Sequence, residues 1–354
     1  MKKILVIQQK MIGDVLVSSI LCENLRLKYP DAQIDYLIYE NTQPVINGAT
    51  YISNCILFTK KEKEHKLALI KFALKIRKSK YDVIIDAYSK LESLLIVLLS
   101  GAKIKISYKK KYSSLFYTHC IARKSNYNSN LGLIIEQRLA LLEPLNVEKR
   151  ITFPTINVSL EEIKYANNLF LKNKIETSKK TIMLSVFGSD HFKTYPLSYM
   201  AEIIDEIATK YDVNLLFNYM PHQKLEAKKL FDMCSKISQN KIYFDVIGNS
   251  IRDFIAIMNV CDAIIGNDGG ATNMAKALKK PTFILFCPWI DKNGWALLED
   301  GKNHISFHVS EFLPNIFEDK TPKEIKKNYV FYYEKFKPTF ILDSLHRFLS
   351  WHIG

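Results

Sequence analysis

No stretch of this sequence is apolar for long enough to cross a bilayer. The longest unbroken hydrophobic run, Leu94–Leu99, is closed by Ser93 and Ser100, whereas a spanning helix needs about 18 residues or more. No membrane span is predicted. The opening MKKILVIQQK has two lysines, but its apolar run stops at Gln8 and has no small-residue cleavage site, so it reads as a first strand and not as a signal peptide. Cys22, Cys55, Cys120, Cys234, Cys261 and Cys287 show no CxxC spacing. Neither a zinc site nor a disulfide framework is expected, and the reading is a cytoplasmic protein in a reducing compartment. HExxH, GxSxG and GxxxxGK[ST] are all missing, which removes zinc-protease, serine-hydrolase and P-loop chemistry. No fixed repeat and no low-complexity segment is present.

Acidic residues are scarce in one half only. Residues 1–150 hold 25 Lys and Arg against 13 Asp and Glu, so +12 of the net +14 lies there. Such asymmetry points to an acidic partner for that half: nucleic acid, an anionic membrane surface or a phosphorylated substrate. A nucleic-acid site would interleave aromatics with its cations, and only Tyr108, Tyr112 and Tyr117 around Lys109–Lys111 do so. No nucleic-acid partner is expected.

What is present is ample core material, 48% hydrophobic over 354 residues, enough for about two domains. Apolar strands alternate with helices. Lys3–Ile7, Gln33–Tyr39, Tyr81–Ala87 and Ala102–Tyr108 read as strands, with helices from Val17 to Tyr29, over Lys66–Lys78 and over Leu91–Leu99. In the helix over Lys66–Lys78, Leu67, Ile70, Leu74 and Arg77 mark the faces. Ile151–Ile156, with Pro154, reads as a passage, and the alternation then restarts. Thr181–Phe187, Val213–Asn218, Ile242–Val246, Asp262–Ile265 and Thr282–Cys287 are strands. Helices open at Pro196 and cover Leu225–Ser238, Ser250–Val260 and Ala271–Leu278. Alternation of this kind predicts two successive α/β halves with parallel sheets.

The chemistry-bearing stretch is IIGNDGGATNMAKAL, Ile264–Leu278, a strand, a glycine turn and a helix start. Gly269 and Gly270 allow close backbone approach, and the free N–H groups of Ala271, Thr272 and Asn273 with the helix dipole make an anion seat. An ordinary βα turn has the same composition. Asp14, in MIGDVL, lies at the mouth of the first βα unit, as either a working carboxylate or a helix cap. Lys193, in GSDHFKTYP, is either a cation for phosphate or a solvated lysine. The turn MIGDVL is not a GxGxxG fingerprint, which counts against dinucleotide binding there.

Taken together, ILVIQQKMIGDVLVSSILCENLRLKYPDAQIDYL, EQRLALLEPLNV, FGSDHFKTYPLSYMAEI and DVIGNSIRDFIAIMNVCDAIIGNDGGATNMAKALKKPTFILF resemble the ADP-heptose:lipopolysaccharide heptosyltransferases, glycosyltransferase family nine. The resemblance runs nearly the full length. It implies a GT-B fold, α/β with two Rossmann-like domains whose parallel sheets face a cleft. Residues 1–155 would bind the acceptor and 156–335 the nucleotide sugar, with a C-terminal helix over 336–354 packing back toward the first domain. It further implies a metal-independent, inverting transfer of a heptose or related sugar, with no cofactor beyond the ADP-sugar donor.

By the resemblance, Asp14 is the general base, Lys193 the cation on the donor phosphates, Asp268 the contact to the transferred sugar, and Gly269–Thr272 the diphosphate cradle. Candidates added to these are Ser189 and Asn273 on the donor phosphates, Gln223 and Asn249 on the nucleoside, and Lys10, Gly13, Lys109, Lys110 and Lys111 on the acceptor side. No metal ligand is expected. The partners implied are a nucleotide sugar, an acidic lipid-linked oligosaccharide and a peripheral contact with the anionic inner face of the inner membrane. Departures from the family pattern are Asn273 and Leu133 for histidines, Gln223 for a glutamate, Phe187 for a proline, and FCPW, with Cys287 and Trp289, for FGPT. A sugar-nucleotide epimerase of similar shape is the competing enzyme reading, and a basic binding module the non-catalytic one.

Overall fold

The computed structural model describes residues 1–126 and 129–354. They divide into two units, Met1–Asn157 and Val158–Gly354.

The first unit is a six-stranded parallel sheet of β1 (Lys3–Ile7), β2 (Gln33–Tyr39), β3 (Asn54–Phe58), β4 (Val83–Asp86), β5 (Ile104–Tyr108) and β6 (His119–Ile121), in the order β3-β2-β1-β4-β5-β6. KILVI is apolar at every position after Lys3 because both faces of a doubly wound sheet are covered. Tyr36 faces helix Ile12–Lys28, its hydroxyl donating to Val15 O at 2.7 Å. Leu5, Ile7, Leu37 and Ile84 face the opposite way, into a core shared with Ala73, Ile76, Ile96 and Val97 of helices Lys66–Lys78 and Leu91–Leu99. The second unit repeats the plan. Strands β7 (Lys180–Ser185), β8 (Val213–Asn218), β9 (Ile242–Tyr243), β10 (Ala263–Asn267), β11 (Thr282–Leu285) and β12 (His304–Phe307) take the order β9-β8-β7-β10-β11-β12. In each sheet the winding direction reverses once, between β1 and β4 and between β7 and β10, and open α/β sheets bind ligands beyond the carboxyl ends of the strands at such a point.

Four features were not among the sequence expectations. The edge strands β3, β6 and β12 are additional; most of their residues are only partly buried or exposed, and edge positions need no continuous apolar run. The helix expected over Leu225–Ser238 breaks into Lys224–Met233 and Lys236–Lys241, because Ser235 caps a new start with its Oγ accepting from the Ser238 N–H at 3.3 Å. In helix Lys66–Lys78 the row Leu67, Ile70, Leu74 is 75%, 40% and 44% exposed, and Leu69, Phe72, Ala73 and Ile76 make the inner face. Finally, the C-terminal helix Leu342–His352 buries Leu345, Phe348 and Leu349 in the second unit's core, with Phe348 against Phe283 and His346 bonded to Glu206 at 2.8 Å.

Candidate active site

In the first unit helix Ile12–Lys28 starts soon after β1, so Gly13 and Asp14 lie in its first turn and not in a turn ahead of it. The two Asp14 oxygens have different partners. Oδ2 accepts from the Met11 N–H at 3.4 Å, which is the capping role, and Oδ1 accepts from Arg138 Nη2 at 3.1 Å. Arg138 is 5% exposed, and its guanidinium is fixed by two further bonds, Nε to Ser18 Oγ at 2.7 Å and Nη1 to the Tyr108 hydroxyl at 2.5 Å. A charge is buried only when paired in this way. The pair therefore orients the carboxylate from below while its side chain keeps 20% of its surface exposed. Arg138 is not among the residues singled out from the sequence; its only signal there is a lone cation inside the apolar helix LIIEQRLA.

Other acceptor-side candidates follow strand ends of the same sheet. Lys10 is partly buried, its carbonyl accepting from Gln8 Nε2 at 2.7 Å. Lys109 and Lys111 are exposed after β5. Lys110 is exposed too, but its ammonium donates to the Ser89 carbonyl, and partial burial of that group, then Lys90 and Arg123, hold it below the ordinary lysine range. Lys110 and Lys111 rim a cavity of about 340 Å³ whose apolar lining includes Leu91, Leu94 and Phe116.

In the second unit all donor-side candidates follow carboxyl ends of parallel strands: Ser189 and Lys193 after β7, Gln223 after β8, Asn249 after β9, and Asp268–Asn273 after β10. Asn267, 1% exposed, ties two of these turns together. Its side-chain oxygen accepts from the Tyr195 N–H at 2.7 Å, and its amide donates to the Ser185 and Val186 carbonyls at 2.9 Å each. This clamp brings the Lys193 turn to NDGG. The glycines fit the same purpose: Gly266 has φ +133° with the Ser185 carbonyl packed where a Cβ would stand, and Gly188 is crossed by the Lys193 backbone. A side chain at either would push the turns apart. Beside Gly269, by contrast, no described residue other than its chain neighbours lies within 4 Å of a Cβ position.

Helix Gly270–Ala277 starts one residue before the expected Ala271, and β10 runs on to Asn267. Of the three N–H groups expected to be free, that of Thr272 is engaged, donating to Gly269 O at 3.1 Å, as third helical positions often do when the first turn tightens. Burial raises the Asp268 carboxyl to about 6, against the pull of Lys193 and Lys276. Lys276 itself is buried, bonded to the Leu297 carbonyl and 3.5 Å from Glu299. Gln223 uses its side-chain oxygen on the Met220 N–H at 2.9 Å, and Ser189 and Asn249 are exposed.

Five buried polar atoms of the second unit have no hydrogen-bond partner among the described residues: Glu299 Oε1 and Ser306 Oγ, and, bearing on this site, Thr272 Oγ1, Trp289 Nε1 and the Tyr333 hydroxyl. Thr272 lies in the first turn of helix Gly270–Ala277, and the Asp268 carboxyl is near enough to Tyr333 to help raise its pKa, after burial and Cys287. Unpaired buried groups are costly unless something else bonds them, so they suit a polar ligand here. Trp289 also carries two cations on its ring, Lys193 Nζ at 5.5 Å and Lys326 Nζ at 4.6 Å from the centroid, and Lys326 lies 4.7 Å from Phe192 as well. Lys326 was not legible in the sequence, because nothing in TPKEIKK marks one lysine from the next. Among the described residues no group of three or more His, Cys, Asp and Glu is placed to hold a metal ion.

Comparison with known proteins bears on the fold and the family. A Campylobacter coli lipopolysaccharide heptosyltransferase 1 is 24% identical over 294 residues, covering 80% of this chain and 83% of the relative. A glycosyl transferase family 9 structure from Veillonella parvula superposes with a TM-score of 0.80 at 17% identity, covering 99% of this chain and 97% of that one. An Escherichia coli heptosyltransferase solved with ADP-2-deoxy-2-fluoro heptose gives 0.63 at 15% identity, covering 96% and 99%. These likenesses establish the GT-B fold. Residues 69–313 match the family described as Glycosyltransferase family 9 (heptosyltransferase), and the chain belongs to that family of glycosyltransferases.

Proposed function

We propose that this glycosyltransferase moves a heptose, or a closely related sugar, from an ADP-sugar to a hydroxyl of a lipopolysaccharide core acceptor, with inversion and without a metal. The observation that carries the reading is the Asn267 clamp, which sets Lys193 beside Asp268 and the start of helix Gly270–Ala277 at the reversal point of the second sheet. In the proposed step Asp14 takes the proton of the acceptor hydroxyl, whose oxygen forms a bond to the anomeric carbon as the bond to the diphosphate breaks. Negative charge then grows on the leaving ADP. Lys193, with Lys326 as a second cation on the same indole, and the N–H groups at the helix start meet it, the kind of fixed stabilisation that counts most in such steps. Asp268 addresses the transferred sugar, and Gln223 and Asn249 the nucleoside. A lipid-linked acidic acceptor matches the basic first unit, and peripheral contact with an anionic membrane face follows from it. An epimerase would share the two-sheet plan but would turn over a nucleotide sugar with no acceptor present.

Mass spectrometry of the core oligosaccharide after gene deletion tests the whole reading; a core of unchanged composition would refute it. The donor side has its own test. Lys193→Ala should weaken ADP binding by roughly tenfold or more while leaving adenosine binding within about twofold, since a lost charge on phosphate costs more than a lost neutral contact. Titration calorimetry with both ligands reads this, and equal losses would sink the assignment. Activity should also survive EDTA; a loss restored by Mg²⁺ or Mn²⁺ would replace the lysines with a metal as the counter-charge.

A further inference from the structure

Helix Lys66–Lys78 is apolar on two sides. One side packs in the core, but Leu67, Ile70 and Leu74, spaced i, i+3, i+7, form a second row open to solvent. Single exposed leucines are ordinary on soluble proteins, whereas an aligned row is not. Cations surround it: Lys66, Lys71, Lys75, Arg77, Lys78 and Lys80 fall in a stretch with no Asp or Glu from residue 65 to 81. The neighbouring helix Leu91–Leu99 adds Leu91 and Leu98, 82% and 48% exposed, and Leu91 opens onto the 340 Å³ cavity rimmed by Lys90, Lys110 and Lys111. Across residues 66–124 there are 14 Lys and Arg against three Asp and Glu, and one of the three, Asp86, is fully buried.

We infer that this face, with the Leu67–Ile70–Leu74 row at its centre, is where the first unit lies on an anionic lipid bilayer. The partner must offer an apolar medium to the row and negative charge to its margins at the same depth, and an acidic bilayer surface offers both along the helix, about 20 Å of it at 1.5 Å per residue. Lysine stems then lie along the apolar side while their ammonium groups reach the headgroups. A second copy of the chain is disfavoured as the occupant, since self-contact through this face would set cations against cations. The inference deepens the proposal of a lipid-linked acceptor and rests on it only for the reason a bilayer is the workplace.

The test uses the full chain and vesicles without any acceptor lipid, so it stands or falls separately from heptose transfer. In cosedimentation at low salt the protein should bind vesicles containing roughly one-third phosphatidylglycerol and not those of phosphatidylcholine alone, with binding screened as salt rises. Changing Leu67, Ile70 and Leu74 together to Gln should lower the partition coefficient by about tenfold or more, with the circular dichroism spectrum, melting temperature and ADP affinity unchanged. Ile70→Trp should gain blue-shifted emission that brominated lipids quench. Overturning results are partitioning of the triple variant within about twofold of wild type, binding lost only when Lys109, Lys110 and Lys111 are changed to Gln, no quenching of the introduced indole, or a dimer in sedimentation velocity that the triple variant dissociates.

Discussion

Replacing Asp14 by Asn is expected to cut turnover by roughly 10² to 10⁴ at saturating substrates, the usual contribution of a general base, while donor affinity stays near wild type. The lower bound corresponds to about 2.7 kcal/mol of transition-state stabilisation. Asn is the instructive replacement because Asp14 also accepts the Met11 N–H and faces the Arg138 guanidinium. An amide oxygen can keep one of these contacts but cannot take a proton from a hydroxyl. Deleting the side chain with Ala would add the loss of a partner for a buried charge, although Arg138 retains Ser18 and Tyr108 and the partly exposed position admits water. Comparing kcat, ADP-sugar affinity and melting temperature for Asn and Ala separates the roles. If both variants keep near-normal turnover, Asp14 is a helix cap with an ion pair and the base lies elsewhere. Arg138→Gln is the companion: as a positioning residue it should lower kcat more than it changes KM for the donor, and Arg138→Lys should restore only part, because a point charge cannot hold three acceptors in the guanidinium plane.

The two-sheet plan was legible because strands buried on both faces must be nearly continuous apolar runs, and helices between them keep a 3.6 period. LVI after Lys3, and AII before Gly266, leave little choice. The strand-to-helix passages at Met11–Asp14 and Gly266–Gly270 were legible for a different reason: glycine beside a carboxylate at a strand end is a local pattern, although Gly13, Asp14 and Gly270 fall inside the helices that follow. What stayed hidden depends on residues distant in sequence. Asp14 and Arg138 are 124 positions apart, and Asn267 and Tyr195 are 72 apart; no periodicity announces such a bond. In the helix at Lys66–Lys78 the inner face could not be told from the sequence. KLALIKFALKIRK carries two apolar rows, and its own spacing cannot say which one the sheet covers. The C-terminal helix has one clear apolar face, so its existence was readable, but the core that receives it was not. Thr272 shows a finer limit: glycine and helix start predict an anion seat, while the tightened first turn that occupies one N–H appears only in three dimensions.

Asp268→Asn should make the protein more stable at pH 7.5 while reducing transfer by about 10² or more. The folded chain raises this carboxyl from 3.8 to about 6 by burial, so the native state binds its proton more tightly than the unfolded chain does. That favourable difference is fully present below pH about 4, fades as pH climbs toward 6, and is gone above it, where the ionised group is held at a cost. Two pKa units correspond to about 3 kcal/mol; since the residue is only partly buried, about 1–2 kcal/mol is the expected gain for an uncharged replacement, a few degrees in melting temperature for a unit of this size. Wild type and variant should converge as pH falls toward 4. Donor binding follows the same linkage. A diphosphate brought near Asp268 disfavours the ionised form further, so an ADP-sugar should bind more weakly as pH rises through about 6, and the Asn variant should lose that slope. An ADP-sugar is the proper probe, because the terminal phosphate of ADP titrates near pH 6 itself. Sugar recognition would still suffer in the variant, so stability and activity would move in opposite directions, as they do where a strained group is kept for function. Equal melting curves for the two proteins at pH 7.5, with equal pH slopes for donor binding, would mean that the Asp268 carboxyl is held without cost and that the tension ascribed to this turn is absent.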